Sequence, residues 1–95
     1  EINVSATAEN LTLTHGGGDE LEATDVTVIV RQNSDEERYG LRPNFTEVRG
    51  SDTARFSPGE RWVLQSHNLS AGLARVFVVH EPSNAVIHDG TIEVP

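Results

Sequence analysis

Four histidines, seven serines and fifteen acids are the groups in this chain with the means to do chemistry. His80 and His88 flank the segment "EPSN" and stand next to Glu81 and Asp89, a composition from which a divalent-metal site can be built. Spacing argues against it. In a hairpin centred near Ser83, His80 faces about Val86 or Ile87, so the two imidazoles are offset along the ladder. His15 and His67 fall at the ends of other apolar runs and are expected as solvated strand ends. No metal, cofactor or catalytic residue is therefore assigned. Serine, histidine and carboxylates are all present, but no nucleophile elbow or comparable local signature frames them, and the chain is read as a non-enzyme. Gly16-Gly17-Gly18 does not form a phosphate loop either, because Asp19 and Glu20 follow where a Lys-Ser/Thr pair would be needed.

One constellation exceeds what composition readily supplies. "NVS" at Asn3, "NLT" at Asn10, "NFT" at Asn44 and "NLS" at Asn68 are four N-glycosylation sequons in 95 residues. They point to an exported, glycosylated surface. Asn10, at a strand start, and Asn68, in a loop, are expected to be reachable; Asn3 is expected to be crowded if the first strand is paired.

These groups need a scaffold, and the pattern of the chain is that of strands. Leu11 and Leu13 alternate with Thr12 and Thr14, and Val26, Val28 and Val30 repeat the pattern against Asp25 and Thr27, a period of two. Expected strands are "EINVSATA" (1–8), "NLTLTH" (10–15), "TDVTVIVRQ" (24–32), "RWVLQSH" (61–67), "ARVFVVH" (74–80), "AVIH" and, after "DG", "TIEV". "GGGDELEA" reads as a connection and "NSDEER" (33–38) as a polar loop. "YGLRPNFTEVRG" (39–50) is ambiguous: Leu41 and Phe45 could be buried, but Pro43 forbids a central strand. "SPGE" has proline and glycine where a type II turn requires them. "ARVFVVH" is apolar on both sides and so is the expected central strand. Trp62 and Phe77 are expected in the core. No segment reads as a helix. Short strands with turn signals every 8 to 12 residues predict a single all-β domain over 1–95, an immunoglobulin-like antiparallel β-sandwich of about seven strands.

Composition narrows the partners. The net charge is −8, all seven bases are arginine, and lysine is absent. A G+C-rich genome would favour arginine codons; an acidic surface that stays soluble in molar salt would favour the same balance, since the Debye length there is only about 3 Å. No basic stripe exists for nucleic acid. There is no cysteine, hence no disulfide framework and no thiolate site. No apolar run reaches the roughly 18 to 20 residues of a membrane span.

Taken together, "LTLTHGGGDELEATDVTVIV", "RFSPGERWVL" and the closing "RVFVVHEPSNAVIHDGTIEV" resemble the head domain of haloarchaeal type IV pilins. The resemblance covers most of residues 10 to 95 and rests on turn glycines in order, with no catalytic signature. It implies an immunoglobulin-like sandwich carried on an N-terminal hydrophobic helix, a segment not found in this sequence. That helix packs identical subunits into an extracellular filament and anchors them in the membrane before assembly. The implied role is structural and adhesive, with the cell surface, an S-layer or a substratum as partner and the isolated domain a monomer. An archaellum stator domain that binds the S-layer, and a surface- or sugar-binding adhesion module of a larger exported protein, are the alternative readings.

Overall fold

The computed structural model describes residues 1–49 and 54–95. They form antiparallel strands throughout, and helix is confined to a three-residue 3-10 turn at Ala23–Asp25 and one short turn at Leu41–Asn44. The strands are β1 (Ile2–Ala6), β2 (Leu11–His15), β3 (Leu21–Glu22), β4 (Val26–Gln32), β5 (Asp35–Gly40), β6 (Thr46–Glu47), β7 (Arg55–Phe56), β8 (Arg61–Leu64), β9 (Gly72–His80) and β10 (Ala85–Val94). The first sheet runs β1-β2-β8-β6, the second β10-β9-β4-β5, and β3 pairs with β7 in a two-residue ladder. The all-β, antiparallel class expected from the alternation is the class observed. No helix among the described residues is long and apolar enough to cross a membrane.

Ten strands form among the described residues, and three of them, β3, β6 and β7, are only two residues long. Strands this short carry no period-two signal, which is why the pairings Leu21 with Phe56 and Thr46 with Val63 were not anticipated. The other seven, taken in chain order, lie as first-second-fifth in one sheet and seventh-sixth-third-fourth in the other.

The inward alternation builds the core. Leu11 and Leu13 on β2 and Trp62 and Leu64 on β8 meet Val26, Val28 and Val30 on β4 and Ala74, Val76 and Val78 on β9, in one hydrophobic cluster. Leu41, Phe45 and Phe56 join it from the connections. Thus Leu41 and Phe45 are buried as expected, on an irregular segment around Pro43 that is not a central strand. Gly50, at the end of that ambiguous stretch, lies outside the described residues. The stretch "SPGE" makes the expected turn: the Glu60 N–H donates to the Ser57 carbonyl at 3.1 Å, and Gly59 takes φ +90°.

Two boundaries differ from the reading of the sequence. "NSDEER" is not a loop: Asn33 and Ser34, at φ 53° and 76°, make a two-residue hairpin turn, and Asp35 onward is strand β5. Left-handed φ at both central residues is what a type I′ turn demands. Because β5 is a sheet edge whose first four residues are exposed and charged, it shows no apolar alternation. "AVIH" and "TIEV" are one ten-residue strand, β10, with a bulge at Ile87, and "DG" lies inside it. At Gly90 a Cβ would lie 3.2 Å from the His88 ring, a tight contact that a small shift of that ring relieves. The same hairpin sets His80 opposite Ala85, one residue from the expected Val86 and two from Ile87.

Candidate interaction surface

Strand alternation leaves the second sheet with an outer face as well defined as its inner one. In register across β5, β4, β9 and β10, one row reads Arg38, Ile29, Phe77, Asp89 and the next Glu36, Arg31, Arg75, Thr91. A third row carries Gly40, Thr27, Val79 and Val86. Phe77 is therefore not a core residue. Ala74, Val76 and Val78 take the inner positions of β9, and Phe77, one residue out of phase, lies half-buried outside. "ARVFVVH" was apolar on both sides because both faces of this central strand are apolar. Its position between two neighbours is as expected.

Phe77 sits within a ladder of charge. The Arg31 guanidinium carbon lies 5.1 Å and that of Arg75 4.8 Å from its ring centroid, within cation–π range. Arg31 Nε donates to Glu36 Oε1 at 2.8 Å, and Arg38 Nε lies 3.4 Å from Glu36 Oε2. Arg75 grips Asp89 with two bonds, Nε to Oδ1 at 3.1 Å and Nη2 to Oδ2 at 3.0 Å. The hydrogen bond from Arg31 holds the Glu36 carboxyl below its ordinary pKa, and the Arg75 fork does the same for Asp89. Without such carboxylates, Arg31 directly opposite Arg75 would be a repulsive like-charge pair. At the end of this face, beside the Asn33-Ser34 turn, a cleft of about 420 Å³ is lined by Arg31, Arg75, Glu36, Leu73 and Thr91 among others. The volume suits a small ligand, and the lining mixes donors with acceptors without a net sign.

The sequons do not form one cluster: Asn10 and Asn68 lie at one end of the molecule, and Asn3, opposite Thr14, lies toward the other. Strand β2 spans them. At its Leu11 end lie the turn holding Asn10 and the loop holding Asn68, tied together where the His67 N–H donates to the Glu9 carbonyl at 2.9 Å. At its His15 end, the Gly16 N–H donates to the Glu1 carbonyl at 2.6 Å, so the described chain starts there. Asn68 is exposed and Asn10 half-buried. Asn3, expected to be crowded, is exposed, because β1 is paired only with β2 and forms the edge of its sheet. Asn44 is exposed, with its side-chain amide donating to the Gly40 carbonyl at 3.1 Å.

Two histidines correct the sequence reading. His15 and His67 are not solvated; they are 2% and 8% exposed. His67 Nε2 donates to the Thr7 carbonyl at 2.8 Å while Nδ1 accepts the Leu69 N–H at 3.2 Å. His15 repeats the pattern at the other end, Nε2 to the Asp19 carbonyl at 2.7 Å and Nδ1 from the Gly17 N–H at 3.3 Å. Each neutral imidazole thereby closes an irregular loop whose backbone groups have no ladder partner. Its ring also packs: His15 meets Phe56 edge-on at 4.9 Å. A histidine at a strand end followed two residues later by the loop it must close was the only signal available.

His80 Nδ1 lies 2.7 Å from Ser83 Oγ, the separation of a nucleophile–base pair. Ser83 belongs to the exposed turn that follows His80, the half-buried last residue of β9, and among the described residues no acid is hydrogen-bonded to the far ring nitrogen, so the contact fastens the turn. Among the described residues no three His, Asp or Glu side chains converge on a metal position. No family model, no curated protein and no solved structure matches this chain.

Proposed function

We propose that this chain is the head domain of an extracellular, cell-surface filament subunit of the archaeal type IV pilin kind, structural and adhesive and not an enzyme. The observation that carries the reading is the polarity of the domain. Its described start lies at one end, against Gly16, and the loops bearing the Asn10 and Asn68 sequons lie at the other. A subunit whose preceding helix packs in a filament core presents that far end, and any glycans on it, outward. The strand order supports an immunoglobulin-like scaffold: first-second-fifth and seventh-sixth-third are neighbours in such domains, with the fourth strand here at the edge beside the third. The acid excess and absence of lysine suit a protein working in concentrated salt.

The test lies in the encoded protein upstream of Glu1 and in what it does. A short basic leader followed by about 20 apolar residues is expected, and the protein carrying them, processed and purified in high salt, is expected to form filaments visible by electron microscopy. A further folded domain upstream, or no filaments with the helix in place, overturns the reading. The cleft of about 420 Å³, where Arg31, Arg75 and Glu36 stand beside the apolar Leu73, favours one second reading, a sugar-binding adhesion module of a larger exported protein.

A further inference from the structure

Two of the three large hydrophobic side chains that stand exposed among the described residues, Leu73 at 69% and Val86 at 58%, lie on the outer face of the β10-β9-β4-β5 sheet. Phe77, Ile29 and Val79 lie between or beside them on that face. The charges of the face cancel: Arg31, Arg38 and Arg75 against Glu36, Asp89 and Glu93. The rest of the chain holds twelve acids against four arginines, so the whole net charge of −8 resides elsewhere. Two molecules each carrying −8 repel over most of their surfaces. This neutral face is where they can approach at least electrostatic cost.

We infer that the outer face of this sheet is a self-association surface, on which two copies of the chain pack face to face about a two-fold axis. An isologous contact requires a patch complementary to itself. A face with equal numbers of both signs and exposed apolar side chains at each end of β9 meets that condition, since arginine on one copy can find carboxylate on the other while Leu73 and Val86 become buried. Size sets the strength. Four strands about 4.8 Å apart and some nine residues long cover roughly 500 Å², or about 1,000 Å² counting both copies. That is below the 1,200 Å² or so of a standard interface, in the range of weak, transient contacts. Dilute protein is accordingly monomeric. The contact becomes effective when copies are held side by side, where local concentration replaces affinity. It does not depend on the filament reading, because it concerns the domain alone.

The experiment follows amide chemical shifts of the folded domain by NMR from about 20 µM to 1 mM, the concentration at which a contact of millimolar affinity is read. It is run in about 0.1 M and about 3 M KCl. Concentration-dependent shifts are expected at Leu73, Phe77, Val79 and Val86, and they are expected to be larger in high salt, where repulsion between the −8 molecules is screened and the apolar contact remains. Leu73→Asp and Val86→Asp place charge on positions already exposed, so both variants fold, and each should reduce the concentration dependence about tenfold. Ser5→Asp adds the same charge on β1 and should leave it unchanged. Three results overturn the inference: no concentration dependence at about 1 mM in high salt, shifts mapping to another surface, or equal loss in Ser5→Asp. Filament formation by the longer protein is scored separately, so either conclusion can fail without the other.

Discussion

Truncating Trp62 is the sharpest test of how this domain is held together. The ring is fully buried on β8, with Leu13 and Glu47 as its partners across the strand. Phe56 meets it edge-on at 6.1 Å and 79°. Its Nε1–H donates to Glu60 Oε1 at 3.2 Å, and that same oxygen accepts the Ser57 N–H at 2.8 Å, closing the Ser57–Glu60 turn. Trp62→Ala therefore opens a cavity and removes one of two donors from a nearly buried carboxylate. The cavity costs about 3 to 5 kcal/mol, and the lost donor adds about 1 to 3 kcal/mol. A domain of this length holds roughly 5 to 14 kcal/mol in all, so the variant should be largely or wholly unfolded. Trp62→Phe separates the two effects, keeping most of the packing and losing only about 1 to 3 kcal/mol with the N–H. Urea unfolding in 3 M KCl followed by far-ultraviolet circular dichroism measures all three proteins. If Trp62→Ala melts within about 1 kcal/mol of the parent, or the parent's tryptophan emits as a solvated indole, the reasoning fails.

Thermal stability should rise between about 0.1 M and 3 M KCl, as the screening length falls from about 10 Å towards 2 Å; surface ion pairs such as Arg31–Glu36 lose little by comparison, and a flat or falling melting temperature would refute the halophilic reading. His67→Ala should cost about 1 to 3 kcal/mol and speed amide exchange in the turn at Thr7–Asn10, whereas His80→Ala, in an exposed turn, should stay within about 0.5 kcal/mol. Asp89 titrates low in the folded state because Arg75 binds its ionised form, so its contribution is present above the unfolded pKa and lost as pH falls through the folded one. An NMR titration should show the Asp89 midpoint rising in Arg75→Gln, and an unchanged midpoint would mean that the pair does not persist in solution.

The parts of the fold legible in the sequence were those where one face of a strand is buried and the other is not. Leu11 and Leu13, and Val26, Val28 and Val30, announced both their strands and their inward faces because each apolar residue has a polar neighbour. "SPGE" announced its turn because proline and glycine occupy the two positions where the backbone demands them. Strand β5 was missed because an edge exposed on both sides needs no apolar residue, and its turn uses Asn33-Ser34 in place of a glycine pair. Strand β10 is divided in the sequence reading because "DG" resembles a turn, whereas Asp89 and Gly90 continue the ladder opposite Phe77 and Val76. The burial of His15 and His67 was invisible for another reason. Their role is to satisfy backbone groups of loops whose course only the tertiary structure determines.

Phe77 carries the most instructive error, because its cause bears on function. A strand apolar on both faces belongs at the centre of a sheet, but a central position does not by itself bury both faces within the domain. The structure buries one face in its own core and leaves the other to be shielded by Arg31 and Arg75. In a chain of 95 residues there is too little polypeptide to cover a four-stranded sheet twice. Leu73 and Val86 could have been exchanged for the Thr, Glu and Asp that dominate elsewhere and were not; among the described residues only Val48 is a large apolar side chain comparably exposed outside this face. Three of the seven arginines are placed there as well, with carboxylates matched to them, which removes the charge that keeps the other surfaces apart. The exposed Leu73 and Val86 and a cancelled charge are separate observations, and each alone is ordinary. Their coincidence on one face of an otherwise strongly acidic domain makes that face the place where contact with another copy has to be sought first.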